Sequence, residues 1–581
     1  GTIVYESNEN VVVTGVASIK DIQKSDNFTG VDPPTFYFLN NLTLTPSQTN
    51  TFSNNFYVGG QLNVNTAENF SINNITLNNT ATWQINESQN VTITENLTNL
   101  GTITLAENNK LSIEGDLTQN GTMTLESGSS LILGGDFVGN DIIYKRNLAT
   151  DNWYLVSPPF YGESVLNFYM NNASNLALSD TSLGFDQRIA LAPYDNSQTS
   201  PWQYYTLDQI IGTVPTTDVL TAASAYSVKL NSLDQDLIFR GSILTEDKND
   251  IFISRSINGF NLVGNPYPSY VSLNEILNAN DEGSNDLLEE KTAWLWNQDT
   301  NQYDAYNLID DIFIAPGQGF FVEASATAST FSITESMQSH QPETGDTFQR
   351  TITRPEIKLS LSNGSSIKTS DIFYITNTTT GWDNGYDSTL FGDADTSFAV
   401  YTHLVSNSQG QDLAIQSLPD SNYEQMIIPV GVNAVSGSEI TFSATAVNFP
   451  SGINLYLEDK ENQTFTRLDS SENYTITTNT VINGIGRFFL HTNTENVLST
   501  PNEVLEHVSI YTTNKTNLRI TGISSGKTQL SIYNILGQKV LNTSFEAKGL
   551  NDIQLPVLKT GVYVIQLVTK NGKYNKKIVI E

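Results

Sequence analysis

Four aspartates, Asp383, Asp387, Asp393 and Asp395, crowd one glycine-containing stretch. Clustered carboxylates suit calcium, a hard cation that takes about six to eight oxygen ligands. Their spacing does not follow the EF-hand loop, so calcium stands against a plainer reading, a solvated acidic turn. The four histidines, His340, His403, His491 and His507, are scattered. No two lie at i, i+4 and no His-Glu-x-x-His run exists, which argues against a histidine-built zinc site or a Ser-His-Asp triad. Cysteine is absent, which excludes thiolate metal sites, cysteine nucleophiles and disulfides. Glu95, Glu107, Glu114, Asp116, Asp136 and the pair Asp310-Asp311 are candidates for glycoside cleavage, which needs two carboxyl groups about 5–5.5 Å or 6.5–9.5 Å apart. Several of these recur at equivalent positions of a repeat, and repetition favours a turn role over a unique site. Two aromatic groups, Trp202 with Tyr204 and Tyr205, and Trp294 and Trp296 with Tyr303 and Tyr306, offer faces for sugar stacking. Core or hairpin packing is the commoner use of such residues.

The elements that must position these groups are mostly strands. The chain has 581 residues, enough for about three to five domains. Charged residues are 15% and hydrophobic residues 38%, with Asn, Thr and Ser filling the difference, a composition suited to strands with neutral polar outer faces. The net charge is −33, which argues against nucleic acid as a partner. From residue 506 to the end, ten Lys/Arg against four Asp/Glu give +6, leaving −39 for the rest. A basic module on an acidic body implies a separate task for the C-terminus. No apolar run is long enough to cross a bilayer as a helix. No signal peptide is visible at Gly1; export implies one that has been removed or that lies outside this sequence.

A repeat organises the N-terminal part. Segments 81–97, 101–117 and 121–137 align at an offset of 20, bringing together Trp83, Ile103 and Met123; Ile85, Leu105 and Leu125; Val91, Leu111 and Leu131; Ile93, Ile113 and Leu133; and Leu97, Leu117 and Phe137. Apolar and polar residues alternate within each unit, with Gly-Asp at one corner of the last two, which is the signature of a β-solenoid. Looser copies include Leu62, Val64, Phe70 and Ile72, and begin at Leu42 and Leu44. The reading is all-β: a solenoid over 1–140 with residues 1–34 as its cap, a mostly-β aromatic-rich domain over 141–345 with a helix at 272–279, a β-sandwich over 346–492, a linker at 493–502 and a last small β domain over 503–581.

That last domain carries ordered motifs: Leu518-Arg-Ile-Thr-Gly522, Leu530-Ser-Ile-Tyr-Asn-Ile-Leu-Gly-Gln-Lys-Val540, Leu558-Lys-Thr-Gly-Val-Tyr-Val-Ile565 and the basic end Lys576-Lys-Ile-Val-Ile580. In these it resembles the C-terminal sorting domain, type A, of type IX secretion substrates of the Bacteroidetes, an immunoglobulin-like β-sandwich. The resemblance places the sorting signal on Leu530, Tyr533, Asn534, Gly537, Gln538, Val540, Gly561, Tyr563, Lys576 and Lys577. It implies three partners in the outer membrane: a translocon barrel, a shuttle barrel protein and a sortase that attaches the body to surface lipopolysaccharide. Blocks of the middle, including 258–268, 294–297, 315–321 and 381–387, resemble large flavobacterial surface proteins. Asp387-Ser388-Thr389 resembles a Bacteroidetes O-glycosylation acceptor, with Ser388 as the site. The expected function is a non-enzymatic cell-surface protein of adhesion, gliding motility or coat structure. The alternative is a secreted protein that binds or cleaves polysaccharide.

Overall fold

The computed structural model describes residues 2–580 apart from 29, 31–32, 46–50, 66–68, 87–89, 180–183, 185, 283–284, 299–301, 327–328, 341–353, 393–396, 422, 424–425, 451, 469–472, 494–507, 515 and 570–571. It is all-β, with three short α-helices among the described residues. The expected linker lies almost wholly outside them. The chain forms two units: one of Gly1–Glu289 and Asp310–Phe348, the other of Glu290–Ile309 and Gln349–Glu581. The segment Glu290–Ile309, which the sequence reading holds inside 141–345, thus belongs with the second unit.

In the first unit the 20-residue spacing becomes hydrogen-bond register. Thr82–Ile85, Thr102–Leu105 and Thr122–Leu125 lie side by side in parallel, pairing Trp83 with Ile103 and Ile103 with Met123. Asn90–Ile93, Lys110–Ile113 and Ser130–Leu133 make a second ladder. Leu97–Asn99, Leu117–Gln119 and Phe137–Gly139 make a third. Because each inward residue stacks on its counterpart, Trp83, Ile103, Met123, Leu111 and Leu117 are almost wholly removed from water. The earlier coils follow, with Leu42 on Leu62, Phe36 on Phe56 and Phe70 under Val91. Their phenylalanines pack on one another, some edge-to-face, for example Phe38 and Phe56 at 5.4 Å. The expected cap is built in the same parallel sense as the coils: Thr2–Tyr5 pairs with Asp21–Lys24, Val11–Val13 with Thr35–Phe38, and Ala17–Ile19 with Leu42–Leu44.

The stack ends where Ile142–Leu148 pairs in parallel with Thr122–Leu125 on one side and antiparallel with Gln235–Gly241 on the other. That switch of sense covers the open edge and joins the solenoid to the aromatic-rich region in one apolar core. The expected helix is Leu273–Asn280, capped by Ser272, whose Oγ accepts from Glu275 N, and it buries Leu273, Ile276 and Leu277.

In the second unit, Thr292–Asn297 and Gln302–Asn307 form a hairpin. The region read as a sandwich is one eleven-stranded hydrogen-bonded sheet: ten strands follow one path from Thr464–Arg467 to Tyr474–Thr477, Ser388–Thr389 pairs off that path, and a large apolar core and a smaller cluster of Ala399, Tyr401 and Ile485 pack on it. The last domain is a five-stranded sheet in which Asn517–Asn534 pairs with Ser509–Asn514, Lys539–Gln554 and Gly561–Thr569, and Gly572–Ile580 adds to Gly561–Thr569.

Candidate functional site

Of the candidate calcium ligands, Asp393 and Asp395 lie outside the described residues. Asp387 is fully buried; its Oδ2 accepts from Asp383 N at 2.7 Å and its Oδ1 from Ser417 N at 2.7 Å. Asp383 turns back on its own loop, its Oδ2 accepting from Thr379 N. Three of these carboxylate oxygens therefore accept from backbone donors, two within the turn and one on the strand Leu413–Pro419. Among the described residues no group of three or more His, Asp or Glu side chains is arranged to hold a metal. Burial pushes the Asp387 carboxyl up to about 7.

The same loop meets the hairpin through Glu290, a residue the sequence does not single out. Its buried carboxylate accepts from Thr292 Oγ1 at 3.0 Å, from Thr389 N at 3.0 Å and from Thr389 Oγ1. Ser388 is enclosed beside it, its Oγ bonded to Thr292 Oγ1 and to Asn307 Nδ2, each at 2.9 Å. Ser388, the expected O-glycosylation acceptor, is thus buried in the folded chain with its hydroxyl hydrogen-bonded. Trp294 donates through Nε1 to Thr389 O, while Trp296 packs on Tyr303 and Tyr303 on Phe391. In the first unit Trp202 packs against Tyr194 and Phe321, Tyr204 against Trp153, and Tyr205 OH donates to Asp218. Both aromatic groups thus serve packing.

The solenoid carboxylates build corners. Asn96 N donates to Asn74 Oδ1, Asp116 N to Asn96 Oδ1 and Asp136 N to Asp116 Oδ1, a ladder that climbs one rung per coil. Glu95 accepts from Asn74 Nδ2, Glu107 sits in a turn whose carbonyl takes Asn109 Nδ2, and Glu114 is exposed beside the Gly115 corner. Asp310 and Asp311 form a turn, with Asp311 in the left-handed region at φ 49°.

Two histidine arrangements were invisible to spacing arguments. His403 Nε2 lies 2.7 Å from Asp412 Oδ1, and its Nδ1 lies 3.5 Å from Ser408 Oγ. These are the three residue types of a hydrolase triad, but the ring faces the other way round from the usual arrangement, in which Nε2 meets the serine. Ser408 Oγ already accepts from Gly410 N, and His403 and Ser408 are both buried, so the trio clamps a loop. His340 bridges two coils, its Nε2 2.8 Å from Ser112 Oγ and its Nδ1 2.8 Å from Ser130 Oγ. Burial, aided by Lys110, lowers its pKa to about 4. His491 pairs with Glu458 across neighbouring strands, and His507 lies outside the described residues.

In the last domain the motif residues have evident tasks. Asn534 Oδ1 accepts from Leu536 N and Gln538 N, each at 3.0 Å, and its Nδ2 donates to Gln538 Oε1. Gly537, at φ +79°, takes the left-handed position that closes this turn. Leu530 is core, Val540 packs at its margin, and the Tyr533 ring lies 5.5 Å from the Lys539 ammonium. Gly561 opens the next strand, and Tyr563 OH donates to Lys559 O at 2.8 Å. Along Gly572–Ile580 the even positions turn inward, so Lys576 is half-buried, its pKa lowered by burial, while Lys577 is exposed.

Residues 501–581 match the family described as a secretion system C-terminal sorting domain. The chain is thus a substrate of the type IX secretion system, an exported β-protein that interacts with that machinery and reaches the cell surface or the medium. Residues 96–491 match the family described as a domain of unknown function, DUF8693. That match spans more than half of the chain, so the chain belongs to this family; it takes in the later solenoid coils, the aromatic-rich region and the eleven-stranded region. A comparison with curated proteins finds no match.

Proposed function

We propose that the body preceding the sorting domain is a non-enzymatic surface scaffold, structural or adhesive, delivered outside by the type IX route. The observation that carries this reading is how the fold uses its chemically capable groups. The Asp116 carboxylate holds a solenoid corner by accepting from Asp136 N, and Glu290 and Asp387 hold the loop that receives the hairpin. His340 ties two coils together. A carboxylate that accepts two or three structural hydrogen bonds is poorly placed to pass a proton to a substrate. The unbroken stack of coils offers instead a long outer face of Thr, Asn and Ser, suited to weak, repeated contacts with a polar surface. Two measurements on the purified full chain test the reading: binding to immobilised surface polysaccharides and to whole cells, and release of reducing ends from the same polysaccharides. Binding or self-assembly without cleavage supports it. Turnover of any polysaccharide that is abolished by substituting one carboxylate overturns it.

A further inference from the structure

We infer that the export machinery reads the sorting domain on the outward face of its sheet, at the end formed by the Asn534–Gln538 turn. There Ile535, Leu536, Val562 and Val579 make an apolar patch bordered by lysines. The surface fits a machinery protein with an apolar cleft and carboxylates at its rim, and the inference rests on the sorting role just described.

Strand register defines the patch. Lys577 pairs with Val564, Val564 with Tyr533, and Tyr533 with Lys539, giving one cross-strand row of Lys, Val, Tyr and Lys. One step towards the turn, Val579 pairs with Val562, and the Asn534–Tyr563 pairing brings Ile535 alongside. Away from the turn the face becomes polar: Asn575, Gln566, Ser531 and Asn542 form one row. Ile535 is 76% exposed, Leu536 79%, Val579 55% and Val564 40%.

The fold does not need these apolar groups. The turn is closed by Asn534 and by the positive φ of Gly537, and any polar pair would serve between them. Two large aliphatic side chains at the tip of a turn in water are a burden on solubility unless something covers them. Among the described residues, much of the rest of the domain's apolar surface is engaged, Val557 on a separate loop being exposed as well. Leu530, Ile532, Ile565, Leu567 and Ile578 form its core. Along a further edge Tyr511 fills the space a side chain would need at Gly410, Leu550 lies 2.8 Å from where a Cβ would stand on Gly484, and Lys576 Nζ donates to Ser408 O at 3.3 Å. The exposed face carries the apolar side chains together with Lys539 and Lys577, so a partner with an acidic rim complements it, whereas the acidic body as a whole would not be drawn into the same cleft.

The test uses the full chain, exported by its native cells, with the secreted and periplasmic fractions quantified. The paired substitution Ile535→Ser with Leu536→Ser is expected to lower the secreted fraction about tenfold, the loss that follows from removing a small apolar anchor, with the melting temperature of the purified protein unchanged. Lys539→Glu with Lys577→Glu is expected to do the same, and Gln529→Ala with Gln566→Ala, on the polar part of the face, to leave export intact. Normal export of the serine pair, with a chain lacking 501–581 trapped inside, overturns this inference and leaves the sorting role standing. Normal export of the truncated chain overturns the sorting role itself. Should the serine pair melt early, the lysine pair decides: retention supports the patch and normal export refutes it.

Discussion

Replacing His340 by glutamine tests how the solenoid is held to the segment that follows it in the first unit. His340 reaches Ser112 on one coil and Ser130 on the next. A neutral imidazole has one donor and one acceptor, so it matches two hydroxyls without carrying a charge into the seam. Burial lowers its pKa from 6.5 to about 4, with Lys110 adding to the effect. Between those values the unfolded chain binds a proton that the folded chain refuses, so stability rises with pH across the window and is lost as pH falls towards 4. At about 1.4 kcal/mol per pKa unit, the seam should lose on the order of 2–3 kcal/mol between pH 7 and pH 4.5. His340→Gln keeps a donor and an acceptor but cannot titrate. The gap in local opening free energy between the native protein and the variant should therefore shrink by that amount on acidification. Hydrogen exchange of peptides covering Lys110–Ile113 and Ser130–Leu133, corrected for intrinsic rates, reads it directly. Glu163, pushed up to about 7 by burial, has the opposite slope, but it is present in both proteins and cancels. A gap that is equal at both pH values, or absent at pH 7, refutes the reasoning.

Gly121→Ala should destabilise the first unit by about 1–3 kcal/mol in urea melts, because its Cβ would press into the Gly101 carbonyl oxygen, a backbone atom that cannot rotate away. Asp387→Asn should cost about 1–3 kcal/mol at pH 8, since the amide nitrogen would face one of two backbone N–H groups. It should also remove a pH dependence: with the folded pKa raised to about 7, stability from Asp387 is fully present below its unfolded value and declines as pH rises through 7. Calorimetry at pH 5 and pH 8 checks both. Chelation with EDTA should leave the melting of the second unit unchanged, as Asp383 and Asp387 already serve backbone donors.

The solenoid was legible because its period is both a sequence and a spatial repeat: the five aligned columns from Trp83 to Phe137 become register pairs without adjustment. The coil below was harder to read because Phe70–Leu77 is one strand serving two ladders, which shifts its partners to Val91 and Leu97 at offsets of 21 and 22. The turn of the sorting domain was equally legible, since Asn534 and Gly537 act locally. The joint around Glu290 was not. Its partners, Thr292 and Thr389, are ordinary strand residues, and Thr389 lies about a hundred positions away, so no local spacing marks them. The same distance explains why Ser388 reads as an open acceptor in sequence and is enclosed in the fold. Ser408, His403 and Asp412 lie close in sequence, yet their meeting depends on a loop closing over buried strands.

A protein that works outside the cell without cysteine must fasten its loops by other means, and here buried carboxylates do so in two physically different ways. Asp459 is fully buried, and burial opposes its charge, but a two-pronged contact with Arg487 at 3.0 and 2.8 Å and a bond from Tyr474 hold its pKa below the usual value. Glu163 and Asp387 take amide donors in place of a bonded cation: Arg240 N and Asn171 Nδ2 on the first, Asp383 N and Ser417 N on the second. Amide dipoles return less of the lost hydration than a guanidinium does, so burial wins and both carboxyls rise to about 7. The Asp459 fastening therefore holds across the neutral range, whereas those at Glu163 and Asp387 slacken as pH rises from the acid range through about 7. Pairing either carboxyl with a new cation is the change that should remove that weakness, and Gln416 and Ser417, beside Asp387, show how little room the fold leaves for one.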